Sequence, residues 1–177
     1  MDSIGGNHFI HACRRNVDIL YLVMDNRVYG MTKGQPSPTT EPDWDSALVP
    51  GGTQTRPFNP VAMAITAGAS FVARGFAGDP QGLSDLIVEA IRWPGFAFLE
   101  VLSPCVTFRP KQFDWKAVVR HDAVEIVNDR GKAAAEAISE DGFSLGVLFK
   151  NAERCGCSPR PALTDLTRIE NTFRVGS

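Results

Sequence analysis

The stretch "ILYLVMDNRVYGMTKGQ", residues 19–35, joins a short apolar run to a polar loop that contains glycine. The run Ile19–Asp25 is almost wholly apolar and ends on a charge, which is typical of a parallel β-strand covered on both faces. The polar loop begins directly after this strand, at Asn26. Because ligands of α/β proteins bind at the carboxyl ends of parallel strands, this junction is the first candidate for a functional site.

The surrounding sequence predicts alternating helices and strands. Asn59 and Asp79 each precede a proline, which is the pattern of an N-cap followed by the first helical residue. A helix over 3–15 has Ser3 as its possible N-cap. The other predicted elements are helices over 60–69, 80–93 and 132–140, strands over 70–76, 96–102 and 143–149, and a long loop over 33–58.

This alternation predicts an α/β fold with a mostly parallel sheet and helices on both faces. The chain opens with a helix, so we expect the fold to lack its first strand or strands. Long loops without regular structure are usually functional, which draws attention to residues 33–58. The pattern weakens after Gln112, and we expect a domain over 1–125, followed by a helix, a strand and an irregular tail over 126–177.

Composition limits the functions that the chain can have. The 177 residues are 44% hydrophobic with a formal net charge of −2, as in an ordinary globular protein. No basic excess suggests nucleic acid, and no apolar stretch approaches the length that spans a membrane. The first residues lack the features of a signal peptide, so we expect a cytoplasmic location. Cys155 and Cys157 form a C-x-C pair, which is only a weak metal signal.

The residues after the first strand can be interpreted in two ways. Asn26 could present an amide oxygen at the sheet edge, and Gly30 would let a ligand approach the backbone closely. Neutral oxygens of this kind suit Mg²⁺, which often takes further ligands from phosphate groups, and a helix start near residues 3–7 offers N–H groups to the same phosphates. Alternatively, the segment is a structural turn in which asparagine tolerates unusual dihedral angles.

Two long motifs resemble a known family. Residues 3–40, "SIGGNHFIHACRRNVDILYLVMDNRVYGMTKGQPSPTT", resemble the thiamine-diphosphate-binding region of the β subunit of 2-oxoacid:ferredoxin oxidoreductases. The form "NRVYGMTKGQ" is most similar to members that act on 2-oxoglutarate or a broad range of 2-oxoacids. Residues 102–108, "LSPCVTF", resemble a second signature of that subunit. The resemblance covers residues 2–125, and "GVLF" at 146–149 also fits it.

The resemblance implies a thiamine-diphosphate-binding fold and oxidative decarboxylation of a 2-oxoacid to an acyl-CoA. The implied cofactors are thiamine diphosphate, Mg²⁺ and a [4Fe–4S] cluster that passes electrons to ferredoxin. The implied partners are an α subunit, ferredoxin, coenzyme A and the 2-oxoacid.

The resemblance also assigns roles to individual residues. The Asn26 side chain and the Val28 carbonyl would bind Mg²⁺, Lys33 would face the substrate carboxylate, and Cys105 would be the fourth cluster ligand. Lys33 could instead be a solvated loop lysine, and Cys105 a buried apolar thiol. The remaining assigned residues surround the cofactor or the substrate entrance: Gly5, Gly6, Asn7, His8, Tyr29, Gly30, Thr32 and Gln35.

Two parts of the family's pattern are absent from this sequence. The family's motif begins upstream with Gly-Asp-Gly-Asp, whose aspartate binds Mg²⁺, and Asp2 does not take that role. The earlier cluster cysteines, in a Cys-Pro-x-Cys segment, are missing as well. We therefore expect the C-terminal two-thirds of a β subunit, from a truncated gene, a split gene or a diverged protein. One alternative is an inactive fragment that docks on an α subunit. The other is a non-oxidative thiamine-diphosphate decarboxylase, which "SPCVTF" argues against because such an enzyme does not need a cluster cysteine.

Overall fold

The computed structural model describes residues 5–121 and 128–151. The chain alternates helices and strands through this part. In chain order the elements are α1 (Gly6–Arg15), β1 (Ile19–Asp25), a 3-10 turn (Gly30–Thr32), α2 (Pro60–Ala67), β2 (Phe71–Phe76), α3 (Pro80–Arg92), β3 (Phe96–Leu102), a second 3-10 turn (Pro110–Asp114), α4 (Trp115–Val118), α5 (Arg130–Ser139) and β4 (Gly146–Lys150).

The helix starts follow the capping chemistry of the sequence. The Asn59 side chain accepts a hydrogen bond from the Ala62 N–H, and the Asp79 side chain accepts one from the Gly82 N–H. Both predicted proline-led starts are therefore confirmed. The start of α1 differs, because this helix has Gly5 at its N-cap and no side-chain cap. The predicted cap, Ser3, lies outside the described residues.

The four strands form one sheet in the order β1-β3-β2-β4. Strand β3 pairs in parallel with both β1 and β2, and β4 adds antiparallel to β2. The predicted α/β fold with a mostly parallel sheet is confirmed. Strand β4 begins three residues later than its predicted start and extends to Lys150. The predicted domain boundary at residue 125 and the predicted tail lie outside the described residues, so the division stays a prediction.

Helices cover both faces of the sheet, as predicted. Helices α1, α2 and α5 pack on one face, where Phe9 of α1 contacts the rings of Tyr21, Phe96 and Phe98. Helix α3 packs on the other face against β2 and β3. Every residue of β2 and β3 is buried, so these two strands form the centre of the core.

Strand β1 is less covered than the sequence predicts. It lies at the edge of the sheet, and Ile19 and Met24 are 48% and 68% exposed. Leu20 contributes to the cluster beneath α3, but Leu22 remains exposed on the same face. The prediction of burial on both faces is wrong for β1, because an apolar run does not indicate which strand of a sheet stands at its edge.

A buried ion-pair group crosses the sheet near its carboxyl edge. Arg74 of β2 is 3% exposed; its Nε lies 2.6 Å from Glu100 and its Nη1 2.5 Å from Glu140. Glu140 follows the last turn of α5, so this group fixes the end of that helix on the sheet. Within the described ranges, no helix is both long enough and apolar enough to cross a membrane.

Candidate functional site

The parallel pairing of β1 and β3 places two polar segments side by side. Asp25 and Leu102, the last residues of the two strands, stand opposite each other in the register. The Ser103 N–H then donates to the Asp25 carbonyl at 2.8 Å. The segments that follow, residues 26–35 and 103–112, therefore leave the sheet together at its carboxyl edge.

The first segment is a closed loop held by its own backbone. The Tyr29 N–H donates to the Gln35 carbonyl at 2.7 Å, and the Gly34 N–H donates to the Tyr29 carbonyl at 3.1 Å. Thr32 is exposed, and its hydroxyl donates to the same Tyr29 carbonyl. Lys33 is exposed and has a φ of +68°, a left-handed conformation that is uncommon outside glycine. The loop thus presents Lys33 at its outer end in a fixed conformation.

Asn26 begins this loop with a tight turn. Its Oδ1 atom accepts a hydrogen bond from the Val28 N–H at 3.2 Å. This contact is the structural turn that the sequence leaves open as an alternative. An amide oxygen has two lone pairs, so the same atom can also approach a cation.

Three successive carbonyls of the loop differ in their partners. The Asn26 carbonyl accepts from Gln112 Nε2 at 2.7 Å, and the Arg27 carbonyl accepts from Thr40 Oγ1 at 2.6 Å. Val28 is 3% exposed, yet none of the described residues donates to its carbonyl. Buried carbonyls in proteins are nearly always paired, so this oxygen is available to a cation. An amide oxygen and a backbone carbonyl are neutral ligands of the kind that Mg²⁺ accepts, so the described residues fit this ion to that extent.

A buried carboxylate anchors the start of the loop. Asp25 is 7% exposed, and its Oδ1 accepts from Thr39 Oγ1 at 2.7 Å and from the Arg27 N–H at 2.9 Å. Burial and the nearby charge of Glu100 raise the pKa of Asp25 above its usual value. These bonds tie the long loop over 33–58 to the end of β1.

A second carboxylate joins the loop to the segment after β3. Glu41 accepts from Arg27 Nη1 at 2.9 Å and from Arg109 Nη2 at 2.6 Å. Arg109 also stacks over the ring of Trp44 at 4.6 Å, and its Nη1 donates to the Arg27 carbonyl at 3.0 Å. Burial would raise the pKa of Glu41, but hydrogen bonds from its own backbone N–H and from the two arginines outweigh burial and lower it.

The two segments touch at Cys105. A Cβ atom added to Gly30 would lie 3.7 Å from Cys105 Sγ, and Gly34, with φ of +93°, leaves no room for a Cβ beside the Phe108 ring. Cys105 is partly exposed, whereas burial raises the pKa of the Cys13 thiol to about 12. Across residues 5–121 and 128–151, no three His, Cys, Asp or Glu side chains form a metal group. These residues therefore do not fit a [4Fe–4S] cluster by themselves.

Helix α1 points its first turn towards the same edge of the sheet. Asn16, at the end of the helix, accepts from the Phe96 N–H at the start of β3, so the helix runs opposite to the strands. The N-cap Gly5 supplies no side chain, and Asn7 and His8 are exposed. No hydrogen bond within the described ranges joins this turn to Asn26. The first turn of α1 therefore faces the same edge of the sheet as the loop, and its role as the diphosphate end stays a prediction.

A cavity of about 740 Å³ opens beside the loop. Its walls include Lys33, and Trp44, Phe108 and Lys111 contribute aromatic and cationic surface. Among the described residues, neither Lys33 nor Lys111 has an ion-pair partner. The volume is in the range of small-molecule sites.

Sequence reasoning found the residues of the loop but missed those that hold it. The missed residues are Thr39, Thr40, Glu41, Arg109 and Gln112. The "SPTT" run and the strand end at 102 were weak signals for them, because serine and threonine after a turn often bond to backbone.

Comparisons with known proteins identify the family of the chain. Residues 2–101 match the family model of the C-terminal TPP-binding domain of thiamine pyrophosphate enzymes, and the chain belongs to that family.

Relatives of known function are subunits of larger enzymes. The chain is 45% identical over 112 residues to the 2-oxoglutarate oxidoreductase subunit KorB of Mycobacterium tuberculosis, a match that covers 63% of the chain and 30% of that protein. It is 38% identical over 166 residues to the 2-oxoacid:ferredoxin oxidoreductase subunit beta of a Sulfolobus species, covering 84% of the chain and 54% of that protein. The resemblance predicted from the sequence is confirmed. The matches span 30% and 54% of the lengths of these two relatives.

A solved structure has the same fold. The chain superposes on the 2-oxoglutarate:ferredoxin oxidoreductase from Magnetococcus marinus, with 2-oxoglutarate, coenzyme A and succinyl-CoA bound, at a TM-score of 0.77 and 34% identity. The match covers 99% of this chain and 60% of that one.

The Glu41 bridge predicts a pH dependence of stability. Because the folded-state pKa of Glu41 lies below its ordinary value of 4.5, the bridge stabilises the fold above that value, and the contribution is lost as the pH falls through the folded-state pKa. Glu41→Gln should lower the free energy of unfolding by about 1 kcal/mol at pH 7, after solvent screening is allowed for, and by much less at pH 3. Urea unfolding at both pH values measures the difference.

Glu136→Gln is the matched control for this experiment, since Glu136 is exposed on α5. It should change the free energy of unfolding little at either pH. An equal loss for Glu41→Gln at pH 3 and pH 7 would show that the charge of Glu41 does not stabilise the loop.

Proposed function

We propose that this chain is part of the β subunit of a 2-oxoacid:ferredoxin oxidoreductase and carries half of its thiamine diphosphate site. The observation that carries the proposal is the carbonyl of the buried Val28, which receives no hydrogen bond from the described residues and belongs to the same turn as the Asn26 amide at the carboxyl edge of the sheet. Family membership and the similarity to β subunits support the same cofactor. The complex would act in the cytoplasm.

The chain's own residues would hold the metal and diphosphate end of the cofactor. Asn26 Oδ1 and the Val28 carbonyl would bind Mg²⁺, and the N–H groups of Gly6 and Asn7 would face the diphosphate, as free N–H groups at a helix start suit an anion. His8, Tyr29 and Gly30 would border the cofactor. When bound, thiamine diphosphate supplies the electron sink that lets a 2-oxoacid lose carbon dioxide.

Lys33 would select the substrate at the mouth of the cavity. Its ammonium group is free among the described residues, and the left-handed backbone fixes the direction in which the side chain leaves the loop. A compact cation of this kind suits a carboxylate. Thr32 and Gln35 would line the same entrance. The Magnetococcus enzyme has 2-oxoglutarate bound, which supports a dicarboxylate as the substrate class.

The rest of the activity would depend on other chains and segments. Cys105 would supply one thiolate to a [4Fe–4S] cluster, and the other ligands would come from outside the described residues. An acidic Mg²⁺ ligand would also be needed, because Asn26 and Val28 offer only neutral oxygens. An α subunit, ferredoxin and coenzyme A complete the set of proposed partners.

Cofactor binding tests this proposal directly. Isothermal titration of the chain with thiamine diphosphate and Mg²⁺ should give a Kd of about 1 mM or weaker, near −4 kcal/mol, because the two proposed ligands, the Asn26 amide and the Val28 carbonyl, are both uncharged. Asn26→Ala should weaken binding by about tenfold, which is about 1.4 kcal/mol. The control Asn128→Ala changes an exposed asparagine and should leave binding unchanged.

Two results would contradict the proposal in different ways. If Asn26→Ala and the unchanged chain bind the cofactor equally, Asn26 is not a ligand of the Mg²⁺ ion. Micromolar, Mg²⁺-dependent binding would show that this chain already contains an acidic ligand, and the half-site would be wrong.

Substrate selection is tested in an active complex assembled with the partner subunits. Lys33→Met should raise the KM for 2-oxoglutarate by roughly ten- to a hundredfold, about 1.4–2.8 kcal/mol for a lost charge-assisted contact. A 2-oxoacid without a second carboxylate should be affected less if Lys33 binds the distal group. Lys132→Met, on the exposed side of α5, serves as the control. If Lys33→Met leaves the kinetics unchanged with every 2-oxoacid, Lys33 is a solvated loop lysine and does not bind the substrate.

A further inference from the structure

Gln112 is a buried amide between the two polar segments of the site. It lies in the second 3-10 turn and is 2% exposed. Its Nε2 donates to the Asn26 carbonyl at 2.7 Å, and its Oε1 accepts from the Cys105 N–H at 2.8 Å. One side chain therefore connects the first residue of the proposed metal loop to the cysteine of the second segment.

Both ends of this amide meet partly buried backbone groups that have no other hydrogen-bond partner among the described residues. An apolar side chain of the same size would leave the Asn26 carbonyl and the Cys105 N–H without these hydrogen bonds. The two contacts also fix the orientation of the amide, since exchanging its N and O would set donor against donor and acceptor against acceptor. Gln112 is thus a specific connector and not a general core residue.

The same segment holds the next carbonyl of the loop. Arg109 lies three residues before Gln112 in sequence. Its Nη1 donates to the Arg27 carbonyl at 3.0 Å. The segment after β3 therefore donates hydrogen bonds to the carbonyls of Asn26 and Arg27. It does not donate to the next carbonyl, that of Val28, which is free to bind a cation. A shift of Asn26 or Val28 towards a metal ion must move Gln112, the Cys105 backbone, or both.

The loop after β1 lies close enough to the Cys105 thiol for a shift of the loop to change the surroundings of the thiol. Cys105 Sγ lies within van der Waals range of the space beside Gly30, which belongs to the same loop as Asn26. Gln112 is held by a hydrogen bond at each end of its amide, so displacement at one end is transmitted to the other.

We propose that Gln112 is a positioning residue that couples occupation of the Asn26–Val28 metal site to the position of the Cys105 thiol. The inference rests on the proposed function, because the cation is the Mg²⁺ that accompanies thiamine diphosphate. It extends that function by naming the residue that fixes the two centres relative to each other.

The test is the rate at which iodoacetamide alkylates Cys105 in the full chain. Peptide-resolved mass spectrometry separates Cys105 from Cys155 and Cys157, because tryptic cleavage puts them in different peptides, and Cys13 is fully buried. Rates are measured without ligand and with thiamine diphosphate and Mg²⁺ up to tens of millimolar. Binding to each variant is followed separately by isothermal titration.

We expect thiamine diphosphate and Mg²⁺ to change the alkylation rate of Cys105 in some variants and not in others. In the unchanged chain the ligand should slow alkylation at least threefold, because the occupied loop closes beside the thiol. Gln112→Met keeps the length of the side chain but loses both hydrogen bonds, and its rate should no longer respond to the ligand. The control Gln81→Met alters an exposed glutamine of α3 and should respond like the unchanged chain.

Gln112→Glu keeps the proposal testable if the methionine variant does not fold. The carboxylate can still accept from the Cys105 N–H but cannot donate to the Asn26 carbonyl, so ligand-free alkylation should match the unchanged chain while the response to ligand is lost. If Gln112 had only a structural role, Gln112→Glu would change the ligand-free alkylation rate as well as the response to ligand.

The outcomes distinguish this inference from the proposed function. If Asn26→Ala and the unchanged chain bind the ligand equally, the proposed site fails and the coupling fails with it. If the chain binds and both Gln112 variants keep the full response, only the role of Gln112 is wrong.

Discussion

The parallel register of β1 and β3 is the constraint on which the site depends. It aligns Asp25 with Leu102, so that the chain leaves both strands at the same level of the sheet edge. Everything proposed for this protein follows from that alignment, since residues 26–35 and 103–112 are far apart in sequence. A slip of one residue would turn the side chains of β1 to the opposite faces and separate the two segments.

The loop after β1 is held in a strained conformation by the segments around it. Arg27 has a φ of +52°, which costs a residue with a side chain about 1 kcal/mol or more. Its guanidinium pairs with Glu41 and lies over the rings of Trp115 and Phe143, at 5.2 and 5.0 Å. Such strain persists only where neighbouring contacts define the backbone, and it lies here next to the Val28 carbonyl, which receives no hydrogen bond from the described residues. These contacts hold the loop in one conformation, as the proposed cation site requires.

The sequence predicted the local parts of this arrangement because their signals are local. Strands β1 and β3 have the predicted bounds, and Asn59 and Asp79 cap their helices, since apolar runs and capping residues act within a few positions. The exposure of β1 was not predictable, because it depends on where the strand stands in the sheet. Gln112 and Arg109 were missed for the same kind of reason: they contact residues more than 80 positions earlier. A contiguous motif points to the loop after β1, but only the fold shows which residues hold that loop in place.

The most direct measurement is the position of a metal ion at the carboxyl edge of the sheet. Crystals of the chain soaked with Mn²⁺ and thiamine diphosphate would locate the ion by its anomalous scattering. A Mn²⁺ ion about 2 Å from both Asn26 Oδ1 and the Val28 carbonyl is the predicted result. A Mn²⁺ ion bound elsewhere, with the Val28 carbonyl hydrogen-bonded to water, would contradict the assignment of this edge as the cofactor site.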